Sequence, residues 1–371
     1  VAVDSISTDD SETQALALIF ASISSREPDR LCAALEDFIA ASPHSPWTPS
    51  LRINLGKYYR NNGQYSLAFQ HWAAAWEATQ EYARGPGKHV ADYALAHWTR
   101  LLVSLGQLDT LQRVFIETKG RVLDGGPLTQ MFLRTQEAYY RIQRHPAAAY
   151  KCGLWALNYV ARRMYGSNYN STGLLGGPEE ACSLRVLAAL ADELKLGLVP
   201  VRRLEGDEIV VPCVAHLKLN HYIAILSRRG DCYEVADPTF GHVQFFRAKA
   251  INGELSGYFM IPAGKIPVSW QSLTPEQSSI VRGRSLTFNP DDPIDQPCVA
   301  TTCPSNCPTG KGGTWGGAPG PSGFPGAPGV LGGGCIGCQV GFNLLTKTVG
   351  MPVWRVSEPY INLWLLRSRS I

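Results

Sequence analysis

Residues 150–165 read YKCGLWALNYVARRMY, and the fold turns on what that run is. Leu154, Leu157, Val160, Ala161 and Met164 recur at helical spacing, with Arg162 and Arg163 off the stripe. The spacing predicts an amphipathic helix with Cys152 and Gly153 at its start. Gly166 closes the run, as a residue tolerant of positive φ does. A thiol in a first helical turn faces backbone N–H groups without helical partners, at the positive end of the dipole. Both effects favour thiolate, the nucleophilic form. Free cysteine is also among the most buried residue types, so the thiol taken alone reads as packing.

What lies downstream changes the weighing. Residues 220–241 read NHYIAILSRRGDCYEVADPTFG. Residues 221–226 form a strand that is apolar on both faces, which belongs inside a sheet. Residues 227–230 make a turn and 232–236 a return strand. Asp237 ends that hairpin because Pro238 cannot extend the ladder. His221 enters the first strand as Asp237 leaves the second, so both belong at the same edge of the sheet. A carboxylate there holds the imidazole tautomer, and the imidazole takes the thiol proton. His216 sits mid-strand and reads as a hydrogen-bonded core histidine, while His242 follows the Asp-Pro turn where it could line a cleft. Asn220 is either a turn residue or a cleft donor. Cys182, Cys213 and Cys232 read as small buried side chains.

The order Cys152-Gly153-x-x-Ala156-Leu157, a His-led apolar strand, then Asp237-Pro238-x-x-Gly241 resembles the double-glycine peptidases that trim bacteriocin leaders, a papain-like group. The resemblance runs from about residue 150 to 262. Residues 183–194 match the second helix of that family, followed by a turn at Leu196-Gly197-Leu198. Residues 210–217 match the strand before the histidine strand, and 257–260 resemble the closing strand. The resemblance implies an α+β domain with an antiparallel sheet, Cys152 as nucleophile, His221 as general base and Asp237 as its orienter. It also implies cleavage after small residues, with a preference for Gly-Gly. One departure stands out. Papain-like sites usually carry a Gln just upstream of the nucleophile to donate to the oxyanion, yet residues 146–151 contain none, and Gln143, beyond Pro146, is the nearest candidate. Losing such a donor costs on the order of 10²–10³ in rate.

Upstream, residues 12–24 and 28–41 are two helical patterns. Leu55-Gly56, Tyr59, Gly63, Tyr65, Ala68, Trp72 and Ala75 then fall on positions resembling a tetratricopeptide repeat. Small residues there let paired helices approach and aromatics fill the space between them. A degraded second copy spans 91–118, with its turn at Leu105-Gly106-Gln107, after a loop at 82–88. Residues 131–144 are a further helix. A generic helical bundle remains the alternative for these later units. The resemblance implies a concave face that holds a peptide or docks a neighbouring domain, and the short connection to Cys152 predicts packing on the peptidase-like part.

Beyond Lys265 the composition shifts. Residues 266–297 are rich in Pro, Ser and Asp, with one short helix at 274–281 capped by Thr274 and with Pro275 at its first position. Residues 298–338 are Gly/Pro-rich without a sustained every-third-Gly period, which favours a flexible tether over collagen. Cys298, Cys303, Cys307, Cys335 and Cys338 bracket it. They read as disulfides in an oxidising compartment, with a four-thiolate zinc site as the alternative. Residues 351–357 alternate like a strand, and the segment to 365 resembles the entry of Rhs/YD-repeat shell proteins. The expected organisation is therefore a helical repeat domain over 1–146, a papain-like domain over 147–265, a linker and tether over 266–340, and the start of a β module over 341–371.

Length supports more than one domain. The small net charge of +3, with both signs interspersed, gives no nucleic-acid footprint. The apolar run 15–23 is too short to span a bilayer and has no basic segment before it. The chain starts at Val rather than Met and carries no phosphate-binding loop. The Rhs/YD-repeat resemblance implies the front of a longer secreted, surface or envelope protein, or a truncated copy of one, and the missing phosphate-binding loop argues against a transporter-fused peptidase. The expected partners are a peptide or protein substrate, including its own tether. No cofactor or metal is expected at the site. Self-processing is expected near Gly317, one of the Gly-Gly pairs of the tether, since a tether presents its peptide at high effective concentration. The alternatives are a peptide-binding scaffold on a degenerate peptidase fold and an acyltransferase or amidase sharing the same triad.

Overall fold

The computed structural model describes residues 2–3, 11–23, 27–146, 150–166, 169, 182–204, 206–240 and 242–287, all within one compact unit. The tether, its five cysteines, its Gly-Gly pairs with Gly317, and the Rhs-like segment lie outside the described residues.

The helical part comprises α1 (Ser11–Ser22), α2 (Pro28–Ala41), α3 (Thr48–Asn61), α4 (Tyr65–Thr79), α5 (Gly85–Ser104), α6 (Leu108–Glu117) and α7 (Gly126–Arg144). Helices α3 and α4 form a tight hairpin because Gly56 has no side chain. A Cβ there would lie 2.5 Å from Trp72 Nε1, which donates instead to the Ile53 carbonyl at 3.2 Å. Leu31, Leu35, Leu51 and Leu55 close the core of the first helices, each buried residue contributing about 1.5–3 kcal/mol. The loop expected over 82–88 is shorter, since α5 begins at Gly85. Pro86 is tolerated in the first turn, and Gly87 lets the chain press on the Tyr82 ring. Likewise α7 starts at Gly126 rather than 131, again with a proline in its first turn. Buried Asp92 fastens α5 to the loop between α6 and α7, taking bonds from Lys88, from Arg121 Nε at 2.7 Å and from Asp124 N at 2.8 Å.

The α+β part opens with α8 (Cys152–Tyr165), followed by β1 (Cys182–Ser183), α9 (Leu184–Glu193), β2 (Leu198–Arg202), β3 (Cys213–Leu217), β4 (His221–Arg229), β5 (Cys232–Asp237), β6 (His242–Arg247), α10 (Ala248–Glu254), β7 (Leu255–Pro262), β8 (Gln271–Ser272), α11 (Pro275–Ile280) and β9 (Arg282–Gly283). Strands β2 to β8 form an antiparallel sheet ordered β6-β5-β4-β3-β7-β2-β8. The apolar stripe of α8, with Leu154, Leu157, Val160 and Ala161 all buried, packs with Leu184 and Leu187 of α9 against Tyr222, Ala224 and Met260 of the sheet. Ser183 caps α9 by accepting from Val186 N at 3.3 Å.

Two further boundaries differ from the sequence reading. Strand β4 runs on to Arg229 through an irregularity between Ile225 and Ser227, and turns only at Gly230. Its outer residues are polar because that end of the hairpin is exposed. The linker assigned from residue 266 is also, as far as Thr287, part of the packed unit. Strand β8 pairs with β2, α11 carries the expected Thr274 cap, completed by Gln277 into a capping box, and β9 pairs with β1. Proline and serine content there marks tight turns rather than free chain.

The helices and the sheet are joined by specific bonds. Glu254 accepts from Ser66 N at 3.0 Å and Ser66 Oγ at 2.8 Å in the first turn of α4, where helical N–H groups lack partners. Gly63 approaches the Phe246 ring, and Arg247 pairs with Asp29.

Candidate active site

Cys152 is the first residue of α8, and Lys151 before it supplies no side-chain cap, so no N-cap side chain competes for the first-turn N–H groups near the sulfur. Packing explains the placement. A Cβ on Gly153 would lie 2.9 Å from Leu187 Cδ1 and 3.1 Å from the Tyr222 ring, so only glycine lets the start of α8 settle against the sheet.

His221 begins β4 and Asp237 ends β5. Ala224 lies opposite Ala236, so Asp237 leaves the pairing level with Ile223 and shares a face with His221, two residues away. His221 Nε2 donates to Asp237 Oδ1 at 2.9 Å. That carboxylate also accepts from Thr239 N at 2.8 Å and, on its other oxygen, from Tyr65 Oη at 3.0 Å. The other imidazole nitrogen, Nδ1, lies 2.5 Å from Ser285 Oγ, and the imidazole also bonds the Cys152 thiol. Cys152 and His221 are fully buried, and Asp237 nearly so.

The electrostatics support a charged triad. Burial works against the imidazolium, yet the charge and hydrogen bond of Asp237, with Cys152, outweigh it and raise His221 to about 10. Burial also opposes the Cys152 thiolate. The bond and charge of His221, with bonds from Ser285 and the Tyr222 N–H, still bring it below the ordinary thiol range. Asp237 is held low against burial by His221, Thr239 and Tyr65. The contrast with the other thiols is informative, since burial pushes both Cys32 and Cys182 up to about 12. A thiol held below its ordinary range beside an imidazole that a carboxylate orients is equipped for nucleophilic attack on a carbonyl.

The structure thus brings Cys152, His221 and Asp237 together, and leaves Gln143 apart. Gln143 is exposed on α7 and donates to Tyr139 Oη at 2.7 Å; among the described residues no bond ties it to the triad. His216 is buried and bonded on both nitrogens, to Ser256 Oγ at 2.8 Å and the Arg282 carbonyl at 2.9 Å, and burial lowers it to about 4. Asn220 is a turn residue at φ 57°, and its carbonyl accepts from Arg284 N at 2.8 Å. His242 opens β6 opposite Asp237. Cys182 and Cys213 are buried, and Cys232 is partly exposed. Among the described residues no His, Cys, Asp and Glu cluster is suited to hold a metal, and no helix is long and apolar enough to cross a membrane.

Two contributors escaped the sequence reading. Tyr65, from the helical part, reads by its spacing as an interhelical aromatic, and nothing local announces that its hydroxyl reaches a carboxylate 172 positions away. Ser285 lies in a stretch read as linker.

Residues 143–264 match the family model of the Peptidase C39 family. The match covers α8, the sheet through β7 and residues Cys152, His221 and Asp237, and supports a cysteine peptidase domain there, acting on peptide or protein substrates. Comparison with curated proteins and with solved structures gave no match.

Proposed function

We propose that the chain is a cysteine peptidase that cleaves after small residues, using Cys152 as nucleophile, His221 as general base and Asp237 as the residue that orients it. The observation that carries this reading is the unbroken run of Asp237, His221 and Cys152 in one buried site. In the proposed step Cys152 Sγ adds to the scissile carbonyl, and the imidazolium, protonated at Nδ1, delivers its proton to the leaving amine. Water then hydrolyses the thioester, with His221 as base. The Cys152 N–H and its first-turn neighbours supply the oxyanion donors. Gln143 would have to leave Tyr139 to join them. The space beside the Cys152 sulfur, where a Cβ on Gly283 would lie 2.9 Å from Sγ and 2.3 Å from the Tyr222 ring, favours substrates without a bulky side chain at the cleaved position. The Gly-Gly pairs of the tether, near Gly317, are substrates of this kind within the same chain.

The test is hydrolysis of a peptide panel that varies the residue before the scissile bond, with intact-mass measurement of the chain itself. Wild type cleaves Gly- and Ala-containing peptides, slowly because Cys152 and His221 are fully buried, and Cys152→Ala and His221→Ala, folded as judged by circular dichroism, do not cleave them at all. Cleavage that survives Cys152→Ala refutes the assignment. The position of Gln143 favours one other reading, a peptide-binding module with weak catalysis. Tight binding of the same peptides without turnover by wild type would establish it.

A further inference from the structure

Residues 281–287 cross directly over the triad. Val281, Gly283, Ser285 and Thr287 are buried while Arg282 and Arg284 are exposed, the alternation of an extended strand lying on a surface. Its backbone is fixed along its length. The Val281 carbonyl accepts from Leu184 N and Tyr222 Oη, both at 2.8 Å, and the Arg282 carbonyl from His216 Nε2. Arg284 N donates to the Asn220 carbonyl at 2.8 Å, and Leu286 N to the Ser104 carbonyl at 2.9 Å. Gly283 pairs with Cys182 in β1. A strand added to an existing edge, with small residues facing inward, is the mode in which extended peptides are recognised.

Two contacts set this strand apart from ordinary packing. A Cβ on Gly283 would lie 2.9 Å from Cys152 Sγ and 2.3 Å from the Tyr222 ring, so the glycine backbone itself covers the sulfur. Ser285 Oγ lies 2.5 Å from His221 Nδ1 and also bonds Cys152, which places a hydroxyl across the thiol–imidazole pair. A reacting carbonyl must come within about 3–3.5 Å of the sulfur, and Gly283 holds that space. The helical part presses from the other side, because a Cβ on Gly106 would lie 1.9 Å from the Arg284 carbonyl oxygen.

We propose that residues 282–287 are a built-in occupant of the substrate cleft, clamped between the α5–α6 turn and the triad, which keeps Cys152 closed until the strand is displaced. The proposal rests on Cys152 being the nucleophile. Its inward-facing pattern of Gly, Ser and Thr describes the peptide that competes for the same cleft: extended, with a glycine over the sulfur and small hydroxyl residues at alternate positions after it.

The test uses the full chain and reads the rate of Cys152 alkylation by iodoacetamide, located by peptide mass, in wild type, Gly283→Leu and Ser285→Ala. Hydrogen exchange at the Arg284 and Leu286 amides and along β4 is followed in parallel. Expected is slow alkylation in wild type. In Gly283→Leu, whose side chain cannot fit against Tyr222, alkylation rises tenfold or more while the Arg284 and Leu286 amides lose protection and β4 keeps it. Ser285→Ala raises the rate severalfold, and decides the matter alone if Gly283→Leu also opens β4. Wild-type Cys152 that already reacts far faster than Cys232, unchanged by either substitution, overturns the strand's role and leaves the nucleophile assignment standing. Cys152 no more reactive than Cys232 once the strand amides have exchanged overturns the nucleophile assignment, and the proposal with it.

Discussion

Tyr65→Phe removes one oxygen atom and keeps the ring that packs on Phe240 with centroids 4.9 Å apart, so it isolates the bond to Asp237. That bond, 3.0 Å long, joins a buried hydroxyl to a buried carboxylate, and a bond to a charged group contributes about 1.5–3 kcal/mol. No discount for solvent screening applies because neither partner meets water. Asp237 keeps His221 and Thr239 as donors, so the fold survives and the carboxylate stays ionised at neutral pH. The expected result is a loss of about 2 kcal/mol in urea denaturation at pH 7. The Asp237 pKa should also rise, because a bond to the charged form has gone. In an Asp237→Asn background the same substitution should cost much less, since the two residues share one interaction. An equal loss in both backgrounds, or a loss under about 0.5 kcal/mol in the wild-type background, where additivity error lies, would refute the claim that the helical part supports the triad through this bond.

Three further outcomes follow from the geometry. His221 is raised to about 10, so its contribution to stability is complete below its ordinary value and lost as pH rises through about 10; urea midpoints between pH 7 and 11 should fall for wild type and stay flatter for His221→Ala. Gly56→Ala should destabilise the chain. Helix propensity favours alanine by about 1 kcal/mol, but the new Cβ would lie 2.5 Å from Trp72 Nε1 and overpacking costs about 1–3 kcal/mol; a higher melting temperature would contradict the close approach of α3 and α4. Glu254→Ala strips Ser66 of both bonds in the first turn of α4 and should cost about 1–3 kcal/mol in the same denaturation assay, whereas Glu254→Gln, which keeps an acceptor oxygen, should recover most of it.

The helix that begins at Cys152 and the hairpin behind it were legible because each obeys a local rule. The stripe from Leu154 to Ala161 has one period, and Asp237-Pro238 ends a strand by removing a donor. The antiparallel sheet and the Cys152, His221 and Asp237 arrangement follow from those rules together with the resemblance. Gln143 was chosen by residue type alone, and Tyr139, one helical turn away, holds its amide instead. Tyr65 and Ser285 were invisible for another reason. Each acts by contact across long sequence separation, and neither has a pattern of its own. The stretch after Lys265 misled because proline and serine serve equally for disordered linkers and for the turns between β8, α11 and β9.

The hydroxyl that Tyr65 lends to Asp237 also bears on inheritance. A gene fragment encoding only the stretch that matches the peptidase family would carry away a carboxylate stripped of one donor and a Glu254 with nothing to hold. Such a fragment, transplanted into another chain, would arrive impaired. The unit that recombination can move intact is therefore larger than the one that sequence comparison outlines, and the helices in front must travel with it.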